Sequence, residues 1–206
     1  MKLTKLLERL DYKVVAGSDN IEITELVNDS RKVVPDSAFV CISGAVSDGH
    51  QYVKDVAEKG AAAVIVEKDV EVPEGLTVIK VENTRYALAL MSAAYFGYPA
   101  EKLKTIGITG TKGKTTTTYM VKAILEEVGH KVGLIGTIEA IIGDKTIPSN
   151  NTTPESYTIQ KYFAQMVEAG CDCVVMEVSS QGLMLHRTAG IMFDIGIFTN
   201  LGEDHI

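Results

Sequence analysis

Glycine, threonine and lysine crowd into the stretch Gly110, Thr111, Lys112, Gly113, Lys114, Thr115, Thr116, directly after the apolar run Thr105-Ile106-Gly107-Ile108-Thr109. The two glycines free the backbone to turn its N–H groups inward around an anion. Lys114 adds a point charge, Thr115 a hydroxyl suited to Mg²⁺, and the helix expected to follow adds the positive end of its dipole. Such a loop binds nucleotide phosphate, so the residues point to an ATP- or GTP-using protein. The usual template asks for a glycine five residues before Gly113, where this chain has Ile108, so only the shorter form Gly-Thr-Lys-Gly-Lys-Thr-Thr stands.

Glu177 ends the run Cys173-Val174-Val175-Met176-Glu177 and is followed by Val178-Ser179-Ser180. A carboxylate at the tip of a buried strand beside a phosphate loop is placed to hold Mg²⁺, which prefers oxygen ligands and substrate phosphates. Asn150-Asn151-Thr152-Thr153 reads, on pattern alone, as a turn and a helix N-cap. Glu203-Asp204-His205 reads as a solvated polar loop in which His205 is a candidate metal ligand. Asp29-Ser30-Arg31 and Asp48-Gly49-His50-Gln51 are polar loops beside apolar runs, the pattern of surface turns that a rigid scaffold can also use for binding. His130 is expected as a cation at a helix C-terminus, and His186-Arg187 as a solvated helix face. Cys171-x-Cys173 lacks the spacing of a zinc knuckle or redox pair, and with Cys41 these cysteines are expected as buried thiols in a reducing cytoplasm.

The elements that must position these groups fall into two regions, 1–102 and 103–206. The first is expected to hold helices at 3–10, 51–59 and 84–96, with strands at 21–26, 38–42, 62–66 and 77–81, an alternation that suggests a small α/β domain. Gly97-Tyr98-Pro99 closes its last helix. In the second, a strand at 105–109 feeds the loop. A helix follows, with Val121, Ile124, Leu125 and Val128 on its expected core face. A strand at 131–135 precedes a hairpin at 139–142 and 146–148 that turns at Gly143-Asp144. Thr153-Pro154 looks like the N-cap and first residue of a helix carrying Ile159, Tyr162, Phe163, Met166 and Val167 on one face. The apolar runs 173–178 and 193–199 read as parallel strands covered on both faces. In open parallel sheets ligands collect at the carboxyl ends of strands, where the loop, Glu177, Asn151 and the 200–205 segment all fall.

A 206-residue chain can bury a sizeable core. Its net charge of −7, without a lysine-arginine block, argues against nucleic acid as the main partner. The amphipathic start MKLTKLLERL lacks the apolar core of a signal peptide, and no run nears membrane-spanning length, so no membrane insertion is expected. The chain stops in a ligand-rich loop just after a strand, and a nucleotide-binding sheet of this kind normally has more strands, so a truncated chain is expected.

Taken together, these segments resemble the Mur ligase family. The resemblance rests on Asp29-Ser30-Arg31 with Val34-Pro35-Asp36, on Asp48-Gly49-His50, and on the stretch 107–116. It continues in Asn151-Thr152-Thr153-Pro154, Met176-Glu177-Val178-Ser179-Ser180, and Phe198-Thr199-Asn200-Leu201 with Asp204-His205. The ordered set spans both regions. It is most similar to the branch that adds the third amino acid in peptidoglycan precursor synthesis. The fold it implies is α/β: a small N-terminal domain for the uridine end of the substrate, then an incomplete parallel-sheet central domain for ATP. Ser30 would contact the uracil nucleotide with His50 and Gln51 nearby, and Gly110, Thr111, Lys112, Gly113, Lys114, Thr115 and Thr116 would grip ATP. Thr115, Glu177 and His205 match metal-associated positions, and Lys114, Glu177 and His205 the catalytic ones. Asn151, Thr152, Thr153, Ser179 and Arg187 match residues that bind the muramoyl dipeptide, which reverses the turn and solvated-loop readings above. Gln181 stands where many members carry His, and Leu185 where they carry Gln, so Leu185 is assigned no contact. The family's carbamylated lysine and its third domain would lie beyond Ile206.

The activity so implied is ATP-dependent amide-bond formation. Phosphorylation of the D-glutamyl carboxylate of UDP-N-acetylmuramoyl-L-alanyl-D-glutamate is followed by attack of a diamino acid's amine, meso-diaminopimelate or L-lysine. The 206-residue species itself is expected to bind without turnover. A folylpolyglutamate synthetase-like ligase, a non-catalytic UDP-sugar or nucleotide-binding module, and a GTPase switch or small kinase stand as alternatives. Oligomeric state is open, with a monomer as the default.

Overall fold

Short runs of valine and isoleucine, bounded by glycine and polar turns, build the two sheets of this protein. The computed structural model describes residues 1–44 and 47–203, and the chain divides into two units, Met1–Tyr95 and Phe96–Ile206.

The first unit contains α1 (Leu3–Leu6), β1 (Lys13–Ala16), β2 (Leu26–Val27), β3 (Ala38–Val40), α2 (Val53–Glu58), β4 (Ala63–Val66), β5 (Thr77–Lys80) and α3 (Thr84–Tyr95). Its sheet runs β1-β5-β4-β3-β2, parallel except for β1. Every residue of β4 is buried, as an uninterrupted apolar strand between two covered faces requires. Several elements differ from the sequence expectation. The first helix stops at Leu6, because Leu10 N bonds to Leu7 O in a tighter turn. The strand expected at 21–26 contracts to Leu26–Val27, with an isolated bridge Lys2↔Glu22 before it. β1 was not anticipated, since Lys13-Val14-Val15-Ala16 shows no alternation; it is an edge strand with Val14 and Val15 exposed.

The second unit contains β6 (Lys104–Thr109), α4 (Lys114–Glu127), β7 (Val132–Ile135), β8 (Glu139–Ile142), β9 (Lys145–Pro148), α5 (Ser156–Glu168), β10 (Cys173–Glu177), α6 (Ser180–Met184) and β11 (Ile195–Phe198). The sheet order is β11-β6-β10-β7-β8-β9; the first four strands are parallel and the hairpin is antiparallel. Val121 and Leu125 of α4 pack against Ile106, Ile108, Val132 and Val175 on one face. Ile159, Phe163 and Met166 of α5 pack against Val174 and Met176 on the other. The expected core face of α4 is half right. Met120, Ile124 and Val128, spaced i, i+4, i+8, stay 60–70% exposed, because the buried face runs through Thr118, Val121 and Leu125 instead. Thr153 is not the cap of α5, whose N-cap is Glu155 without a side-chain bond. The parallel register sets Glu177 opposite Ile108 and Phe198 opposite Thr109, which aligns the carboxyl ends of β6, β10 and β11.

Candidate active site

At the carboxyl end of β6 the chain turns twice with positive φ before α4 begins. Gly113 has φ 83° and no neighbour within 4 Å of an added Cβ, so conformation alone demands glycine there. Gly110 has φ 132°, and an added Cβ would lie 2.2 Å from Thr199 Oγ1, so close approach demands it as well. Gly113 caps α4 without a side-chain bond, and the amides of Lys114, Thr115 and Thr116 have no intrahelical acceptor. Such amides, with the helix dipole, are the chemistry that an anion-binding loop end requires. Lys114 Nζ reaches back to Gly110 O (2.7 Å) and Thr111 O (3.2 Å). The amides of Thr111 and Lys112 turn instead to Asn200, in the loop after β11. Thr116 is exposed on the first turn.

Glu177 is 1% exposed at the tip of β10. Its Oε2 accepts from Thr115 Oγ1 and from Thr137 Oγ1, both at 3.0 Å, and its Oε1 accepts from Thr137 N at 2.8 Å. The carboxyl group is thus buried and accepts three hydrogen bonds, as a buried polar group requires. Gly136 makes room for it: a Cβ there would sit 2.5 Å from Glu177 Oε1. Thr137 was missed in the sequence. The signal was present, since Ile135-Gly136-Thr137 repeats at the tip of β7 the Thr109-Gly110-Thr111 pattern at the tip of β6. The Thr115 hydroxyl beside the Glu177 carboxylate is an all-oxygen pair, the donor chemistry that suits Mg²⁺. His205 lies outside the described residues.

Beside this pair lies a cavity of about 870 Å³ lined by Lys114, Thr137, Asn151, Thr152, Thr153, Ser179 and Arg187, among others. Sequence-predicted residues from three separate segments thus meet in one place. The Thr153 hydroxyl donates to Glu177 O (2.9 Å) and accepts from Ser179 N (2.9 Å), which explains why it leaves the helix cap. Ser179 Oγ caps the short α6 by accepting from Gly182 N. Arg187 donates to Thr153 O and pairs with Glu155, while its Nε is buried without a partner among the described residues.

The first unit holds its own cavity, of about 720 Å³, lined by Asp29, Ser30, Arg31, Gly49 and Tyr52, among others. Asp29 grips Arg31 through both guanidinium nitrogens Nε and Nη2 and through Arg31 N; these bonds draw its carboxyl down to about 2. Ser30 lies in this cavity, whereas the His50 ring is turned into the fold. Nδ1 lies 2.6 Å from Asp48 Oδ1, and Nε2 accepts from Glu67 N at 3.1 Å, so Nδ1 carries the proton. Gln51 is exposed on the turn Gly49–Tyr52. His130, Asp172 and Cys173 also cluster in the second unit, and none of them lines its cavity. Asp172 already accepts from His130 and Lys131 N, and burial pushes the Cys173 thiol up, against thiolate ligation. All three cysteines are buried and unpaired.

Comparison with known proteins covers both units. The profile of the Mur ligase middle domain matches residues 108–206, and that of the Mur ligase family catalytic domain matches residues 22–123. UDP-N-acetylmuramoyl-L-alanyl-D-glutamate--2,6-diaminopimelate ligase of Clostridium perfringens is 50% identical over 206 residues, which is 100% of this chain and 43% of that protein. The enzymes of the same name from Clostridioides difficile and Bacillus licheniformis are each 48% identical, over 42% of their lengths. This chain therefore spans less than half the length of these relatives. A solved structure bearing that same ligase name superimposes with TM-score 0.83 at 21% identity, over 100% of this chain and 41% of that one. MurF from Acinetobacter baumannii superimposes with TM-score 0.62 at 22% identity, over 100% of this chain and 41% of that one. At such identities the superpositions speak for the fold alone.

Proposed function

From the premise that this chain belongs to the Mur ligase family, we propose that it is the substrate- and ATP-binding part of a ligase. That ligase adds 2,6-diaminopimelate to UDP-N-acetylmuramoyl-L-alanyl-D-glutamate. The activity is proposed for a protein of the relatives' full length. The observation that carries the reading is the meeting of Lys114, Thr115 and Glu177 with a cavity lined by Asn151, Thr152, Thr153, Ser179 and Arg187.

In this reading the helix-start amides and Lys114 hold the ATP phosphates. Thr115 and Glu177 would hold Mg²⁺, which when bound supplies charge neutralisation at phosphate oxygens. The substrate carboxylate attacks the γ-phosphoryl group, ADP leaves, and the amine of the diamino acid displaces phosphate from the acyl phosphate to form the amide. The chain's own share is positioning and electrostatics. Arg187 and the Asn151–Thr153 segment orient the dipeptide end, and the cavity beside Ser30 takes the uridine end. His50 acts through its backbone and its support of Asp48, since both ring nitrogens are engaged. Three buried, unpaired cysteines support a cytoplasmic setting. The folylpolyglutamate synthetase-like, GTPase and kinase readings are not favoured, because the compared relatives carry the muramoyl-dipeptide ligase name and the matches extend over the first unit.

The test is phosphate release by the full-length protein with ATP, Mg²⁺, UDP-N-acetylmuramoyl-L-alanyl-D-glutamate and diaminopimelate. Release that requires all of them, and falls at least about a hundredfold in Lys114→Ala, supports the reading. Release that ignores the UDP-sugar peptide overturns it.

A further inference from the structure

The segment after β11 holds the phosphate loop by main chain and side chain together. Asn200 Oδ1 accepts from Lys112 N (3.0 Å) and Asn200 Nδ2 donates to Lys112 O (3.0 Å), so the carboxamide pairs with the Lys112 backbone as a neighbouring strand would. Asn200 O accepts from Thr111 N at 3.0 Å. Thr199 Oγ1 lies 2.8 Å from Lys112 O and 3.2 Å from Thr109 O, and Gly202 N donates to Thr111 Oγ1 at 2.8 Å. The glycine at 110 is what lets the two segments approach, since any side chain there strikes Thr199 Oγ1 and Asn200 O.

We propose that Asn200 and Thr199 are positioning residues for the nucleotide: they clasp the phosphate loop and decide which of its amides face the anion. By taking the Thr111 and Lys112 amides toward β11, the clasp leaves the amides that open α4 as the inward set. A loop with two glycines of positive φ has much conformational entropy to lose. Fixed in advance by the clasp, it binds without that ordering cost. Asn200→Ala removes the carboxamide from both Lys112 backbone groups, leaving Thr199 Oγ1 on Lys112 O, and returns part of the cost to the binding step.

The inference rests on the nucleotide reading above, so the experiment includes a probe of that reading. Binding of a non-hydrolysable ATP analogue is titrated on the full-length protein as wild type, Lys114→Ala, Asn200→Ala, Thr199→Val and Thr199→Ser, with KM for the UDP-sugar peptide measured alongside. The expected result is a Kd raised at least about tenfold by Asn200→Ala and Thr199→Val, near wild type for Thr199→Ser, with the peptide KM changed less than about twofold. Thr199→Val keeps the shape of the side chain, so the Thr199 pair decides the matter if Asn200→Ala fails to fold. An unchanged Kd in Thr199→Val, or equal losses for nucleotide and peptide, overturns the clasp. Wild type that binds no better than Lys114→Ala overturns the nucleotide reading itself.

Discussion

Thr137 turns its backbone N–H and its hydroxyl to one carboxylate, with the hydroxyl also 3.0 Å from Thr152 Oγ1. With Thr115 it surrounds Glu177 with three hydrogen bonds in a site that is 1% exposed. A buried carboxyl group so surrounded stays oriented, and losing one of these bonds costs about 1–3 kcal/mol. Thr137→Val keeps the amide bond and the shape but removes the hydroxyl donor. It is expected to lower kcat about tenfold to a hundredfold in the full-length enzyme, with Thr137→Ser recovering most of the loss in steady-state assays. Gly136→Ala is the harsher change, because its methyl would meet Glu177 Oε1 directly. A second residue-scale prediction concerns acid. The Lys68 ammonium holds the Asp48 carboxyl below its usual range; burial opposes it, and the hydrogen bonds from the His50 ring and amide add to the lowering. A depressed pKa contributes stability that is present above about pH 4 and lost as pH falls below it. Thermal unfolding followed from about pH 6 to about pH 3 is expected to show a steep acid limb in the wild type and a flatter one in Asp48→Asn.

Helix α4 shows how far periodicity carries and where it stops. Val121, Ile124, Leu125 and Val128 satisfy the helical spacing equally, yet only Val121 and Leu125 meet the sheet. The spacing identifies an apolar arc but not its centre, which is set by how Thr118 and Leu125 seat over β6, β7 and β10. Leu125→Ala is therefore expected to cost about 1–3 kcal/mol in urea unfolding, and Ile124→Ala less than about 0.5 kcal/mol. β4, β5, β6 and β10 were legible because continuous apolar runs between glycine and polar turns leave few other readings. β1 was not legible, since an exposed edge strand carries no hydrophobic alternation to read. In the candidate site, Lys114, Thr115 and Glu177 could be read from motif and strand tip. Thr153 as a bridge between strand and loop could not, because its partners are backbone groups 24 and 26 residues away.

Across the whole molecule, two units each carry a cavity, and the second also carries the phosphate loop. Residues 1–206 are expected to bind nucleotide and UDP-sugar peptide in equilibrium titrations while releasing no phosphate. Turnover by this species would show that the activity needs nothing more of the relatives' length. The second unit also shows Ile195 and Phe198 exposed on the edge strand β11, with Met120, Ile124 and Val128 exposed on α4. An apolar edge of this kind invites association, so Ile124→Lys with Ile195→Lys is expected to raise the solubility of the 206-residue species without lowering its unfolding midpoint. The Thr153 hydroxyl, lodged between Glu177 O and Ser179 N, ties the Asn151–Thr153 segment, proposed to hold the dipeptide, to the strand tip that bears the carboxylate. Both ends of the reacting distance are then measured from one fixed origin, like the jaws of a caliper set to a single gauge. A substrate one methylene too short would still be held, but its carboxylate would stop short of the phosphoryl donor, so the discrimination would fall on turnover rather than on capture.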